Sequence, residues 1–455
     1  MRAVGWGHVL KSGIGVTAIA GVIAMASTVA TAQRAATGPQ VTFTKDVAPI
    51  LQRSCQTCHR VGEMAPMSLL TYEEVRPWAR AIKTRVTARE MPPWNIDRNI
   101  GLQKFKNDPS LSDEEIAALV KWADSGTPLG NPADMPPPRQ FVDSTQWQIG
   151  APDLVVRYPA YKVPAAGPDV FGSLYTPSPL KEDRYIKAIQ TRPVGASARR
   201  VVHHALTFAV DPSDDAQSNG DDSVGSGGQF LVEYASGKGG EIYPEDSGVL
   251  LQAGKRFKVD YHLHSIGEDT DALIEVGLVL YPKDYKPKHV RWSKQLAMPT
   301  NDLDIPAGQV VRRDGYTFLN SAARITAFQP HMHIRGKYQC LELIYPTAGA
   351  SAKTELVSCA KFNYNWHLVY NYTDDVAPIV PKGTILHVMT WHDNSAANRA
   401  NPDPKNWVGD GSRTIDEMGF AWIGWYDLTD DEYKQELAAR KAQQRPTTTQ
   451  GQQQQ

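Results

Sequence analysis

The chain has 455 residues, which is too long for one compact domain and suits two or three. Its formal net charge of −1 gives no electrostatic footprint for nucleic acid, so no nucleic-acid partner is expected. Charged residues make up only 21%, whereas 35 Gly and 32 Pro residues favour short strands and turns over long helices.

The N-terminal segment is typical of an export signal. Arg2 and Lys11 precede an apolar run at 14–30, and residues 30–32 offer a small-x-small cleavage site. The run also approaches the roughly 18 residues of a membrane span, so an uncleaved anchor is the alternative. We expect residues 1–32 to be cleaved, leaving a periplasmic or otherwise exported protein with no stable membrane span.

Residues 41–130 have the pattern of a small helical unit. Apolar spacing predicts a helix at 76–86. Ser112 and Glu115 have the spacing of a capping box and begin a second helix. The sequence therefore predicts a small all-α domain, followed by a Pro-rich linker at 131–149.

A Cys-x-x-Cys-His motif at 55–59 lies in this helical unit. In such a motif the two thiols, here Cys55 and Cys58, add to the haem vinyl groups, and the adjacent His59 becomes the proximal iron ligand. A redox Cys-x-x-Cys pair that only happens to precede a His is the alternative. The export signal and the Met residues downstream favour a covalently bound haem c.

The helical unit resembles class I cytochrome c over about 41–130. In that family the Met ligand lies in a loop before the C-terminal helix, and Met91 occupies such a loop at 89–94. The resemblance therefore implies that Met91 is the sixth ligand of the haem iron. Met64 and Met67 are the alternatives.

From about residue 147 the pattern changes to the period of two that strands have. Apolar alternation at 256–261 and 274–280, with turn signals between such runs, predicts antiparallel β-structure of sandwich or jelly-roll type. The length suits two domains. We predict two all-β antiparallel sandwich domains, at 150–297 and 298–430.

Two segments have compositions that do not predict regular structure. Residues 214–229, rich in Asp, Ser and Gly, read as a long polar loop. A short charged helix follows Asp430 and grades into Gln-rich sequence, so 431–455 is predicted to be a disordered tail.

Two further cysteines, Cys340 and Cys359, lie in an oxidising compartment if the chain is exported. The apolar run at 341–345 and the one at 355–357 suit a hairpin with its loop at 346–352. The sequence therefore predicts a disulfide that bridges this hairpin. Two buried free thiols are the alternative.

The twelve His residues include three clusters, at 203–204, 262–264 and 331–333. Residues i and i+2 of a strand share a face, so each His-x-His pair can aim two imidazoles at one ion. Adjacent residues point to opposite faces, so His203 and His204 could share an ion only with a twist, a bulge or different ring nitrogens. Imidazole suits Zn, Cu, Fe and Ni, so the clusters predict metal binding without choosing the metal.

These His clusters resemble those of the copper type II, ascorbate-dependent monooxygenases, the family of peptidylglycine and dopamine β-hydroxylating enzymes. The matching segments occur in the same order, at 202–205, 261–267, 329–336 and 414–419. The resemblance spans about 150–428. It implies two tandem β-sandwich domains that each bind one copper ion and face a solvent-filled cleft.

The resemblance also implies the ligands of two copper ions. Those of the electron-donating copper are His203, His204 and His262, and those of the oxygen-activating copper, which are also the catalytic residues, are His331, His333 and Met418. A soft thioether stabilises Cu(I), which suits an ion that must meet O2. His264 is the alternative to His262, because a shift of one position would exchange them.

The other histidines and the disulfides give less guidance. The resemblance places His367 and His392 near the cleft without a role, while we expect His289 at the surface and His387 in the core. Animal members of the family carry several disulfides, whereas this chain can form one. Substrate-contacting residues do not transfer recognisably, so the substrate stays open.

The sequence thus predicts an exported haem–copper oxidoreductase, a copper-dependent monooxygenase that inserts one oxygen atom of O2 into a small organic substrate. Electrons would arrive through the haem, and a redox protein is a candidate partner. One alternative is an electron-transfer cytochrome with a non-catalytic copper-binding or storage module. Another is a copper sensor whose haem reports the redox state. The three His clusters and Met418 favour the enzyme, because storage sites are usually richer in Met.

Overall fold

The structure is a computed structural model that describes residues 40–61, 63, 65–106, 108–141, 146–213, 228–235, 238–297, 303–347, 353–411 and 413–444. The predicted signal at 1–32 and the end of the predicted tail, 445–455, lie outside the described residues. The chain forms two compact units, Met1–Gln40 and Val41–Gln455, and every described helix and strand belongs to the second. No helix within the described ranges is both long enough and apolar enough to cross a membrane.

The first part of the second unit is helical. Its elements are a π-helical turn Phe43–Val47, α1 Ala48–Ser54, α2 Tyr72–Val75, a 3₁₀ turn Arg76–Trp78, α3 Ala79–Thr87, α4 Asp113–Asp124 and a 3₁₀ turn Pro132–Asp134. The capping box predicted at Ser112 and Glu115 is confirmed, because each side chain accepts the other residue's backbone N–H. Phe43, Leu51 and Trp122 are fully buried and anchor a core between these helices.

The strands occupy most of the remaining chain. Those of the first half are β1 Leu154–Arg157, β2 Tyr161–Val163, β3 Val170–Pro177, β4 Arg184–Pro193, then helix α5 Gly195–Val201, β5 Val202–Val210, β6 Gln229–Ala235, β7 Glu241–Ile242, β8 Ser247–Leu251, β9 Arg256–Leu263, β10 Thr270–Ala272, β11 Ile274–Leu280 and β12 His289–Ala297. Those of the second half are β13 Val310–Phe318, β14 Ala322–Met332, β15 Gly336–Tyr345, β16 Lys353–Lys361, β17 Tyr370–Asn371, β18 Ile379–Val380, β19 Ile385–Asp393 and β20 Gly419–Leu428, with helix α6 Asp430–Gln444 after them.

One sheet runs through both halves of the β-structure. Its strand order is β1-β11-β4-β8-β12-β20-β14-β17, with β7 paired to β4 and β18 to β14. Two four-stranded sheets, β3-β9-β5-β6 and β13-β19-β15-β16, pack on it over separate cores. The predicted boundary between the halves, at 297 and 298, stays a prediction, because residues 298–302 lie outside the described chain.

Residues 94–106, which we call the joining segment, tie the helical region to the second half. Ile96 bridges to Ala360 and Phe105 to Tyr372, and the Leu102 N–H donates to the carbonyl of Val357. The side chains of Trp94, Ile96, Leu102 and Phe105 pack into the core of the second half. Helices and strands are therefore parts of one compact unit.

The predicted fold class is consequently wrong. We expected a separate small all-α cytochrome c domain followed by two all-β antiparallel sandwich copper domains. The described chain is mostly β, no distinct all-α domain stands apart within it, and one ten-stranded sheet spans both halves. The joining segment has no helical or strand periodicity, so the sequence does not reveal that its apolar side chains complete a distant β core.

The predicted disulfide is confirmed. Cys340 on β15 faces Cys359 on β16 in register, and their sulfurs are bonded. Met389 packs on the bridge, and so does Ile100 of the joining segment. The bridge therefore supports the sheet edge on which the joining segment lies.

Candidate metal centre

The bulge in β5 brings an adjacent His pair to the same side as a third His. His204 lies opposite His262 of β9, whereas Val202 lies opposite Leu263, so His203 is the extra residue of the bulge. The ring centroids of His203, His204 and His262 are 4.8–5.6 Å apart. One ring nitrogen from each lies within 4.8 Å of the others, so the three could hold one metal ion. We call these residues group 1.

The hydrogen bonds of group 1 leave lone pairs for a metal. His262 Nε2 lies 2.8 Å from Asp169 Oδ2, and because the carboxylate accepts, Nε2 donates and Nδ1 carries the lone pair. The Nδ1 atoms of all three residues are buried and have no hydrogen-bond partner among the described residues. Burial lowers the pKa of each ring, to about 4 for His203, so the rings stay neutral at pH 7. Neutral imidazole is the form that binds metal.

His264, the alternative to His262, lies at the edge of group 1. It follows β9, is half-buried, and its ring centroid is 6.5 Å from that of His203. The group whose ring nitrogens lie close enough for one ion contains His262 instead. The structure thus places His262, and not His264, with the adjacent pair.

His331 and His333 lie at the end of β14, with ring centroids 5.9 Å apart. The ring of His331 stacks on Phe420 at 4.5 Å. His333 Nδ1 is 3.1 Å from the backbone carbonyl of Asp416, to which it must donate, so Nε2 keeps the lone pair. The His333 backbone N–H donates to Glu417, whose pKa burial raises to about 8.

Met418 lies directly before β20, with its side chain buried in a cluster that includes Leu206, Phe230 and Phe420. Since Phe420 also stacks on His331, the thioether belongs to the surroundings of that ring. The Met418 carbonyl accepts a hydrogen bond from His392 Nε2 at 2.9 Å. Its role as a ligand stays a prediction.

The structure adds two residues that the sequence did not single out as ligands. The 362–369 loop, between β16 and β17, places the ring of His367 at centroid distances of 5.0 Å from His331 and 5.5 Å from His204. Glu233 of β6 reaches the same point from the first half of the chain. Glu233, His331 and His367, which we call group 2, each offer one atom within 4.8 Å of the others.

The sequence identified His331 as a ligand and placed His367 near the cleft by resemblance, but it did not join these residues to Glu233 as one group. His367 is a single His in a loop, and Glu233 is one carboxylate in the apolar strand β6. Tyr364 of the same loop stacks on His203 at a centroid distance of 5.6 Å, so the loop covers both groups. Both groups therefore belong to one continuous cluster of imidazoles.

The remaining histidines lie outside the two groups. His387 is buried, with Nδ1 bonded to Glu342 and Nε2 to Asp314, so both ring nitrogens are used. His392 is fully buried beside Met418. His289 is half-buried and stacks on Tyr426 rather than lying fully at the surface.

The Cys-x-x-Cys-His motif follows directly on α1. The N–H groups of Cys58 and His59 both donate to the carbonyl of Cys55, so the motif turns back on itself. His59 Nδ1 is 3.3 Å from the carbonyl of Met67 and donates to it, which leaves Nε2 with the lone pair that an iron ligand needs. The two thiols are not bonded to each other. Burial raises the pKa of Cys55 to about 12, so this thiol is protonated. The motif thus offers two unbonded thiols and one imidazole lone pair, which are the groups that a covalent haem would use.

The structure leaves the sixth haem ligand open. Met67 packs against the same helical core as Cys55, Met91 is half-buried beyond α3, and Met64 lies outside the described residues. The assignment of Met91 stays a prediction.

The joining segment, which begins three residues after Met91, contacts the neighbourhood of group 2. Trp94 packs edge-on against Tyr370 at 4.9 Å, and the Asn95 N–H donates to the hydroxyl of Tyr370. Asn95 also lines a small cavity with residues next to two His positions, Pro330 and Trp366. A continuous packed path therefore leads from the segment after α3 to the 362–369 loop.

Comparisons with known proteins do not identify a family. No protein-family model and no curated protein matches the chain. The similar solved structures include N-glycanase F (PNGase F), with 8% identity, a TM-score of 0.26 and coverage of 60% of this chain and 96% of that chain. They also include the tandem CBM22 domains of Paenibacillus barcinonensis Xyn10C, with 10% identity, a TM-score of 0.18 and coverage of 56% and 83%. The infectious bursal disease virus VP2 subviral particle matches with 10% identity, a TM-score of 0.19 and coverage of 66% and 76%. At these scores the likenesses support no conclusion about fold or function.

Proposed function

We propose that this protein is an exported, copper-dependent monooxygenase that inserts one oxygen atom of O2 into a small organic substrate and receives electrons through a covalent haem c. The observation that supports it best is the continuous imidazole cluster, in a chain that also carries a Cys-x-x-Cys-His motif. The members of the cluster are His203, His204, His262, His331, His333 and His367.

The cluster is hard to explain as ordinary core packing. A buried polar atom without a partner costs about 1–3 kcal/mol. Ring nitrogens of His203, His204, His262, His331 and His367 are buried and unpartnered within the described chain. Bound metal ions would satisfy these nitrogens and offset that cost.

Copper would supply the one-electron redox change and the reaction with O2. Group 1 would hold one ion, and a second ion would bind at His331. This residue belongs both to the ligand set that the resemblance implies and to group 2. Asp169 holds the Nε2–H of His262, and the carbonyl of Asp416 holds the Nδ1–H of His333, so each ring presents a defined nitrogen. Stacked Phe171 and Phe420 shield His262 and His331 from water.

The proposed reaction balances with an external source of electrons. One O2, one C–H bond, two electrons and two protons give one alcohol and one water. The haem at Cys55, Cys58 and His59 would pass the electrons one at a time. The joining segment supports this role, because it packs the chain beyond α3 against the 362–369 loop.

Metal and haem analysis of the purified full chain tests the proposal. We expect one iron and two copper ions per chain, and haem absorbance that stays with the protein in acid–acetone. Copper loading should make the reduced protein consume O2, and a screen with cell extract by mass spectrometry should reveal an oxygenated product. Two bound copper ions without O2 consumption would favour the alternative, an electron-transfer protein with a copper-binding module. A single zinc ion, or haem that extracts freely, would overturn the proposal.

Stopped-flow mixing tests the direction of electron flow. Ferrous haem should be oxidised quickly by the Cu(II)-loaded protein, and more slowly in the His204→Ala variant. Equally fast haem oxidation without copper would show that the electrons do not pass to the copper sites.

A further inference from the structure

We propose that His331, His367 and Glu233 bind one metal ion together, so that the second metal centre has two imidazoles and one carboxylate as ligands. The existence of a second metal centre rests on the proposed function. The new inference is the identity of its ligands. Two imidazoles and a carboxylate suit divalent transition metals, including copper, iron and zinc.

Three distant parts of the chain bring these ligands to one point. Glu233 lies on β6, His331 on β14 and His367 in the 362–369 loop, and each is no more than 3% exposed. One ligand atom from each lies within 4.8 Å of the others, and the two rings have centroids 5.0 Å apart. The group therefore contains ligands from both β halves. These ligands come together only in the folded chain.

Each member of group 2 has at least one buried polar atom without a hydrogen-bond partner in the described chain. His331 Nδ1, both ring nitrogens of His367 and Glu233 Oε1 are buried without a hydrogen-bond partner in the described chain. Burial lowers the pKa of His367 to about 3. The Tyr364 backbone acts in the opposite direction, but it forms no hydrogen bond of normal geometry with either ring nitrogen of His367. By contrast, Glu233 Oε2 accepts a hydrogen bond from Gln329. One carboxylate oxygen is thus held in place, and the other points at His367.

A simple ion pair does not explain this arrangement. His367 Nδ1 is 3.8 Å from Glu233 Oε1, beyond hydrogen-bond range. Two ligands of a tetrahedral ion with bonds near 2.1 Å are separated by roughly 3.4 Å. A small inward movement would give that spacing. A metal ion would also satisfy the imidazole of His331, which a Glu233–His367 pair leaves unpartnered.

The ligand set can be tested by metal titration of the full haem-containing chain. Chelator-treated protein would be titrated separately with Cu(II), Zn(II) and Fe(II), followed by dialysis and metal analysis. Wild type should retain two ions of at least one of these metals. Glu233→Gln and His367→Gln should each retain one, or bind the second at least 10-fold more weakly. His289→Ala, a half-buried His away from the cluster, is the matched control and should retain two.

A spectroscopic measurement identifies the second centre separately. In His203→Ala, which weakens group 1, the remaining Cu(II) should show nitrogen couplings from two imidazoles by pulsed EPR. Adding His367→Gln should reduce these to one in any Cu(II) that still binds. Circular dichroism checks that each variant is folded. If His367→Gln does not fold, the weaker binding of the second ion by Glu233→Gln in the titration decides the test, because that substitution keeps side-chain shape and both imidazoles.

The outcomes separate this proposal from the proposed function. If wild type binds fewer than two ions, the second centre itself is absent and both fail. If wild type binds two and both group 2 variants retain two with affinity within 3-fold, only the group 2 ligand set is wrong. Loss of the second ion in Met418→Leu, with His367→Gln unaffected, would overturn the proposal in favour of the set implied by resemblance.

Discussion

Replacing Asp169 by Ala should weaken metal binding at group 1 without removing a ligand. Asp169 accepts the Nε2–H of His262 at 2.8 Å, and this bond leaves the lone pair of that ring on Nδ1. Without it, either tautomer can form and the ring is free to turn. Loss of such an orienting partner typically lowers metal affinity by about 10–100-fold, equivalent to about 1.4–2.7 kcal/mol. Because the Asp169 side chain is 41% exposed, we expect the lower end of this range.

Competition with a chelator of known Cu(II) affinity measures this effect at pH 7. The Cu(II) affinity of Asp169→Asn should lie between those of wild type and Asp169→Ala, because the amide oxygen can still accept the hydrogen bond from Nε2–H but carries no charge. Asp271→Ala, which removes an exposed carboxylate on β10, is the control for net charge. If Asp169→Ala binds the group 1 ion within 3-fold of wild type, Asp169 does not orient His262 as a ligand.

Three further predictions concern the haem, the disulfide and pH. Met91→Ala should abolish the red-region charge-transfer band of a Met-ligated c-type haem, whereas an unchanged band would point to Met64 or Met67. Reduction of Cys340–Cys359, whose sequence separation is 19, should lower the free energy of unfolding by about 3 kcal/mol, as measured by denaturant titration; Cys340→Ala without such a loss would contradict the chain-entropy estimate. Burial lowers the pKa of His203 and His333 from 6.5 to about 4. Between these values the unfolded chain binds more protons than the folded chain, so the metal-free protein should lose stability as pH falls from about 7 towards 4. A melting temperature that rises over this window would contradict that sign.

Local patterns predicted the features that depend on neighbouring residues. The capping box at Ser112 and the bridged hairpin of Cys340 and Cys359 follow from spacing along one helix or one hairpin. An adjacent His pair can share an ion only with a twist, a bulge or different ring nitrogens. The structure has the bulge, which lets His203 and His204 share a side. In each case the interacting groups are set by a few residues of sequence.

Long-range packing decided what the sequence did not show. Trp94 and Phe105 look like loop residues, yet they complete a core whose other members lie more than 200 positions later. Glu233 and His367 likewise acquire their meaning only when β6 and the 362–369 loop meet. A carboxylate in an apolar strand and a single loop His carry no spacing pattern, so their partnership cannot be read from either segment alone.

Under the proposed function, the joining segment gives the difference between the predicted and the observed fold a consequence. A haem domain on a flexible linker would have to dock before each electron transfer, whereas here Lys106 donates its backbone N–H to Asn371 and the Lys361 N–H donates to Asn95. These ladder-like bonds fix the chain after α3 to the strands that flank the 362–369 loop. The same loop contacts His203 through Tyr364 and His331 through His367. Under the proposed function, a haem in the helical region would belong to the same compact unit as the imidazole cluster, so electron transfer between them would need no separate docking step.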